Sequence, residues 1–424
     1  MSFTPLFFFR QISPGRPSST MKNLPLYFLR SPPSLRLPLL AANPFFSHLS
    51  YFLTISLLGF GALKLTKTRT SSSPNDLNIF FTSVSAVSVS SMSVVEMEVF
   101  SNFQLIIITT LMFLGGEVFV SAVGFQLSRW FQQLNEKNRT DSIRAIEMES
   151  GTSSSTTATV DEILLGGCLY PVGLWLAIMA AAKLTGKKEW RYILKNYSEM
   201  GYSHLLSGLR CGFLAVTAVG FIILQLIIFC SLEWNNSAGI WDGLNPYQKF
   251  MGSLFQVTNS RHTGESVVDI SVISPAILVV FVVMMYLPPY TTFLPMRNKE
   301  ITSRSHGKDK RQHLVELFTF SQLSYLAIFI ILICITEKEK LRDDPLNFTV
   351  LNITLEVISA YGNVGFSSGY SCKRQVKVDR SCKDAWYGFA GRWSAKGKFI
   401  LILVMIFGRM KTFTMHTGQA WKLS

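Results

Sequence analysis

The sequence predicts an all-α, multi-pass membrane protein built from repeated span–loop–span units, and three observations carry that prediction. Only 16% of the 424 residues are charged and 48% are hydrophobic, where a soluble globular chain carries about 25% charged residues. The apolar residues are gathered into runs: 37–63, 163–182, 211–232, 270–296 and 317–336 hold no Asp, Glu, Lys or Arg, and 99–128 holds only Glu117. Each is long enough for the roughly 20 apolar residues that cross a hydrocarbon core. Shorter, small-residue-rich segments recur between the runs. A water-soluble enzyme and a disordered chain are both excluded.

Taken in order, residues 1–44 form a basic tail with Arg10, Arg16, Lys22, Arg30 and Arg36 and no acid before Asp76. An acid-poor, Arg- and Ser-rich start reads as a disordered cytoplasmic tail or as an organelle transit peptide; Met21 is a second candidate start. The first unit covers 45–128, a polar linker covers 129–162, and 163–208 carries one apolar run with a basic segment behind it. A third unit covers 209–296, a basic loop 297–316, and a fourth unit 317–424.

The formal charge of +14 sits between the spans. Lys187, Lys188, Arg191 and Lys195 follow one run, and Arg297, Lys299, Arg304, Lys308, Lys310 and Arg311 follow another. Short basic loops between spans mark the cytoplasmic side. They account for the charge without nucleic acid and place the N-terminus inside.

Three segments are too short or too serine-rich to span: 77–95, 250–264 and 352–365. Each follows a span and ends in small polar residues. From span start (45, 211, 317) to the turn (91, 264, 365) the count is 46, 53 and 48 residues, which predicts an internal repeat of span, half-helix with turn, and span. Irregular backbone at membrane depth must be buried in protein or line water. The C-terminus of a half-helix favours a cation, and an extended turn supplies carbonyl oxygens that replace a hydration shell. Interfacial helices with ordinary loops are the alternative; three segments in register favour a central cation pore.

The residues then carry a resemblance. FFTSVSAVSVSSMSVVEMEVFSNFQLIIITTLMFLGGEVF, FQVTNSRHTGESVVDIS, SPAILVVFVVMMYLPPYTTFLP, LEVISAYGNVGFSSGYSC and CKDAWYGFAGRWSAKGKFILILVMIFGRMKTFT resemble plant HKT transporters of the Trk/Ktr/HKT cation transporter superfamily. The resemblance covers 45–128 and 164–424. It implies four units around one axis, with filter positions at Ser91 in VSSM, Gly264 in NSRHTGE and Gly365 in NVGF. Ser90, Met92, Asn259, Ser260, Asn363, Val364 and Phe366 flank them. A serine at the first position is found mostly in sodium-selective members, and glycine there in members that also carry potassium. The resemblance further implies passive transport of Na+, a plasma-membrane location and a homodimer. It makes 399–408, only ten residues between Lys398 and Arg409, the core of the final helix. Arg409 would then face the pore below the filter and limit flux, or else mark a cytoplasmic helix end.

Glu96, Glu98, Glu265 and Asp269 follow the filter turns and are expected at the outer mouth, concentrating cations or forming a solvated rim. Arg261, beside the third turn, is expected to pair with a carboxylate, Glu265 being the nearest, and His262 to support the filter. Four of six cysteines lie in or beside apolar runs; Cys372 and Cys382 share a polar loop and are a candidate disulfide in an oxidising compartment. The histidines are scattered, so no metal, cofactor or covalent chemistry is expected.

The second unit departs from the pattern. Its first span, half-helix and turn, on the order of 100 residues per unit, have no counterpart, and 166–206 reads as its second span and cytoplasmic segment. The run 163–182 lies between two segments that both read as inside, so a single crossing fails to satisfy both. Three readings stay open: a sodium transporter, a potassium–sodium cotransporter, and a non-conducting truncated form that assembles with full-length partners.

Overall fold

The computed structural model describes residues 44–70, 74–124, 126, 169–186, 188–197, 204–234, 243–261, 263–287, 291, 322–376, 382–384 and 386–414. The expectations for the basic tail, the linker 129–162, the loop 297–316, His262 and Cys168 lie outside the described residues.

All regular structure among the described residues is helical. The first unit holds α1 (Pro44–Leu65), α2 (Asp76–Ser88), α3 (Asn102–Gly115) and α4 (Glu117–Gly124). The second holds α5 (Tyr170–Thr185) and α6 (Lys188–Lys195), and the third α7 (Gly208–Glu233), α8 (Pro246–Asn259) and α9 (Pro275–Tyr286). The fourth holds α10 (Gln322–Thr336), α11 (Lys338–Asp343), α12 (Val350–Gly362) and α13 (Ala395–Thr414). Among the described residues two helices, within α1 and α7, are by themselves long and apolar enough to cross a membrane, and α3 and α4, bent by 53° from each other, pass the same test together, as a broken span or a re-entrant loop.

The chain order is consistent with the expected repeat: long helix, short helix, irregular return, single turn of 3-10 helix, second long helix. The short helices have 13, 14 and 13 residues. The 3-10 turns are Met97–Val99, Ile270–Val272 and Phe389–Arg392. Local chemistry sets where the helices begin. Ser101 and Gln104 form a capping box on α3, Asn245 and Gln248 form one on α8 ahead of Pro246, and the Thr349 hydroxyl accepts the Asn352 N–H on α12 at 3.0 Å.

Within lipid, apolar burial gives little drive for helices to associate, so close packing and hydrogen bonds must hold the units. The first, third and fourth units each tie the end of the first span to the start of the second. The buried Glu233 accepts the Ser274 N–H at 2.8 Å, and Glu337 accepts the Ser394 N–H at 2.8 Å. In the first unit the tie runs the other way, Gln104 Nε2 donating to the Leu63 carbonyl at 3.0 Å. Close packing recurs as well. A Cβ on Gly115 would stand 1.8 Å from the Val87 carbonyl oxygen, and one on Gly408 would stand 2.0 Å from that of Tyr361. Both second spans therefore pass the end of their own half-helix at backbone contact.

Helix α13 runs unbroken through four cations that its apolar stretch alone does not include. Lys398 Nζ donates to Asn78 Oδ1 at 3.0 Å, Arg409 donates to the Gly115 carbonyl, and Lys411 lies 4.4 Å over the Tyr361 ring. Lys396 is exposed at the start of the helix. The resemblance-based placement of a final helix there agrees with the structure.

The fourth unit sits between the first and the third. One face of α12, with Ile353, Val357 and Tyr361, packs into a cluster with Phe81, Val84 and Phe100 of the first unit. Leu355 and Ile358 on its other side pack with Phe229, Ile277 and Phe281 of the third. The second-unit helices meet the third unit through α5 against α7, and meet the first through His204, 3.0 Å from the Ser121 hydroxyl.

Candidate functional site: three converging turns

Two of the half-helices, α2 and α12, end directly in left-handed backbone. In the first unit Val89 has φ +54° and Ser91 φ +53°; in the fourth Asn363 has φ +53° and Gly365 φ +92°. The hydrogen bonds match as well. Val89 N–H reaches the Ala86 carbonyl and Asn363 N–H that of Ala360, while Ser90 N–H reaches Ser85 and Val364 N–H reaches Ser359. The third turn keeps the five-residue bond, Gly264 N–H to the Asn259 carbonyl at 3.2 Å, with Gly264 at φ +66°. Non-glycine residues rarely adopt this conformation; Asn tolerates it, and a Val and a Ser here are held by the bonds around them.

The turns meet. A Cβ on Gly365 would lie 2.5 Å from Ser91 Cβ and 2.7 Å from the Ser90 carbonyl oxygen. One on Gly264 would lie 2.3 Å from the Gly365 carbonyl carbon. The order is Ser91, Gly365, Gly264, with the fourth-unit turn touching both others, and only glycine fits at the two closest approaches. Ser91 is exposed, while Gly264 and Gly365 are half-buried.

The flanking residues hold this arrangement. Asn363 Nδ2 donates to Ser90 Oγ at 3.0 Å, joining the fourth turn to the first, and Ser90 Oγ lies 2.5 Å from Ser88 Oγ. Met92 is buried, its sulfur 3.9 Å from Ser359 Oγ. In the third unit Ser260 donates to Gln225 at 2.9 Å, and Thr263 donates to Asn259 at 2.6 Å. Val364 and Phe366 are buried against that unit, the Phe366 ring meeting Phe281 edge-on at 5.2 Å.

Each half-helix also carries an inward polar anchor that reading the sequence for filters overlooked. Ser85 Oγ donates to the Met92 carbonyl at 2.7 Å, and Gln256 Oε1 accepts the Val267 N–H at 3.1 Å. Glu356, fully buried, accepts the Ala390 N–H at 3.0 Å and the Ser367 hydroxyl at 3.1 Å. The signal was there for Glu356: a carboxylate in an otherwise apolar stretch at membrane depth has a role by default.

At the loop end Glu96 is half-buried and accepts the Trp386 N–H at 3.2 Å, bridging the first and fourth units. Glu98, Glu265 and Asp269 are exposed, Asp269 also capping the Ser271 N–H at 2.9 Å. Arg261 lies 5.2 Å over the Phe221 ring. Cys372 and Cys382 are joined by a disulfide, Cα atoms 5.9 Å apart, in the loop between the fourth turn and α13. Arg409 is buried, bonded to the Gly115 carbonyl where α3 gives way to α4, and 5.8 Å over the Phe52 ring. Its observed contacts join the fourth unit to the first.

The site offers backbone and hydroxyl oxygens. Among the described residues no group of three or more His, Cys, Asp or Glu is placed to hold a metal. Uncharged oxygens at converging turns, reached by short helices between long apolar ones, define the class: an all-helical membrane protein built to pass cations rather than to transform a substrate. The comparisons agree. The TrkH family profile, a cation transport protein, matches residues 155–423. "Sodium transporter HKT1" of Arabidopsis thaliana is 42% identical over 465 residues, covering 85% of this chain and 92% of its own length. "Cation transporter HKT1;3" of Oryza sativa subsp. japonica is 40% identical, covering 90% and 92%. "Cation transporter HKT2;4" of the same plant is 31% identical, covering 87% and 92%. The chain belongs to the TrkH family of cation transport proteins.

Proposed function

We propose that the chain passes Na+ down its electrochemical gradient through a filter whose positions are Ser91, Gly264 and Gly365. The observation that carries this is the convergence of three left-handed turns at backbone contact, with Ser91 the one side chain among the three. A serine narrows its quadrant and adds a hydroxyl oxygen, which suits the smaller ion and interrupts a ring of glycine backbone. Tenfold selectivity requires only about 1.4 kcal/mol, so one side chain suffices. The name "Sodium transporter HKT1" of a 42% identical relative supports the ion. Glu98, Glu265 and Asp269 raise the local cation concentration at the mouth, and Arg409 places a fixed positive charge below the filter that limits flux. The protein works in the plasma membrane with its N-terminus in the cytoplasm and as a homodimer; the basic loops support the orientation.

The second unit bears on whether this chain conducts unaided. The 465-residue match uses 85% of 424 residues, about 360, which leaves about 105 aligned positions of the relative with no residue here. That exceeds the 46 to 53 residues from span start to turn in the other units, so it has room for a span, half-helix and turn, and it supports a second unit represented only by its latter part. For this reason a second reading stands: a non-conducting chain that assembles with longer relatives. Electrophysiology in oocytes separates the two. Sodium current from the chain alone, with Ser91→Gly raising potassium permeability about tenfold, supports transport. Absence of current alone, with reduced current from a co-expressed longer relative, supports the second reading. Unchanged ion preference in a conducting Ser91→Gly variant overturns the role of Ser91.

A further inference from the structure

Helix α6 takes no part in the converging turns, yet it is the most strongly two-sided element of the chain. It reads KEWRYILK and follows α5 through Gly186, whose φ of +63° turns the chain sharply. At about 100° per residue, Lys188, Arg191 and Lys195 fall within an arc of about 60°, while Trp190, Ile193 and Leu194 occupy the opposite side. Burial follows the same division. The three cations are exposed, and Trp190, Ile193 and Leu194 are half-buried. Lys183, exposed in the last turn of α5, adds a fourth cation beside them. Glu189 is the single carboxylate among the described residues of 183–197, and no ion pair among the described residues engages any of the four cations.

Two constraints fix where such a helix can lie. Its three cations keep it out of the hydrocarbon, and its one-turn tether to an apolar helix keeps it from leaving the bilayer surface. It therefore rests in the interface, apolar side toward protein and acyl chains, cations among headgroups, with Trp190 at the depth aromatic residues prefer. We propose that α6, with Lys183, is a binding surface for anionic phospholipid headgroups of the inner leaflet. The partner is the lipid itself, chosen by charge: four cations without an ion pair among the described residues, on a surface held at headgroup depth, attract a monoanionic headgroup and not a zwitterionic one. Each cation near an anionic surface contributes a factor of about five in affinity.

The test is native mass spectrometry of the full chain purified in detergent and offered equimolar phosphatidylserine and phosphatidylcholine. The wild type retains phosphatidylserine by about tenfold over phosphatidylcholine, and the preference shrinks as salt is raised. The variant K188Q/R191Q/K195Q loses that preference by about tenfold or more at unchanged helix content. A control K383Q/K396Q at the other end of the bundle keeps it. Equal retention of both lipids by the wild type, a salt-insensitive preference, or an unchanged preference in the triple variant overturns the proposal. The salt series on wild type decides the matter if the triple variant does not fold. None of these readouts depends on ion conduction.

Discussion

The half-helices α12 and α8 are built alike and enclosed differently. Nine consecutive or near-consecutive residues of α12, from Asn352 to Tyr361, are buried, whereas only Ser253 and Gln256 to Asn259 are buried in α8. Tyr247 is 70% exposed and Phe250 and Met251 are each 44% exposed. The difference lies in the neighbours. Helix α12 has the first unit on one side and the third on the other, while α8 meets the fourth unit through Val257 and leaves Tyr247, Phe250 and Met251 uncovered. A half-helix entering a membrane protein is stable there only because its backbone and polar side chains are enclosed. Enclosure is supplied by adjacent units, not by the helix itself. The fourth unit is thus the keystone, and the half-helix of the third is the less enclosed one.

That contrast can be broken most severely at Gly408. With the Tyr361 carbonyl where a Cβ would stand, Gly408→Ala forces two backbones apart and is expected to abolish recovery of folded protein. Gly220→Ala, whose Cβ meets nothing within 4 Å, should leave recovery unchanged or raise it. Fluorescence-detected size exclusion checks both. The anchors come next. Glu356→Ala removes the acceptor of two bonds in an enclosed helix and should cost about 3 kcal/mol, while Gln256→Ala removes one bond in an open helix and should cost about 1 kcal/mol. Glu356→Gln, which keeps an acceptor, should recover most of the loss in thermal melts.

Smaller still is the link between the first and fourth turns. Asn363→Ala and Ser90→Ala, singly and together, should show a coupling of about 1 kcal/mol in the Na+/K+ permeability ratio of a conducting complete form. Additive effects would separate the two turns. The least effect is expected on the sparse side, at His204. Burial lowers its pKa from 6.5 to about 4, so the folded protein keeps the ring neutral while the unfolded chain takes up a proton as pH falls below 6.5. Its contribution is constant above that pH and turns unfavourable between about 6.5 and 4. The melting temperature of wild type should therefore fall more from pH 7 to pH 5 than that of His204→Gln, by a degree or two on the order of the single-site effect.

Much of this was legible in the residues. The runs at 211–232 and 317–336 became α7 and α10 within a few residues, and positive φ occurs at Ser91, Gly264 and Gly365, the turns from which the spacing was counted. The positions of the turns came from small residues in register and from the family resemblance, and all three carry positive φ in the structure. The anchors were not legible, since Ser85, Gln256 and Glu356 share no residue type, and their common role appears only when three half-helices are compared in space. The contact of Arg261 with the Phe221 ring, 40 positions away, was likewise not legible in the sequence.

By itself the sequence determined that this is a membrane protein, how many residues separate each span from its turn, and which residues occupy the turns. Those properties follow from hydropathy, charge placement and backbone preference, all of which act locally along the chain. The tertiary structure decided that Ser91, Gly365 and Gly264 stand in that order, that α12 is shared between two cores, and that Arg409 reaches the Gly115 carbonyl. Such contacts join residues up to hundreds of positions apart. They depend on the close approach of backbones and the satisfaction of individual polar groups, which no local pattern encodes.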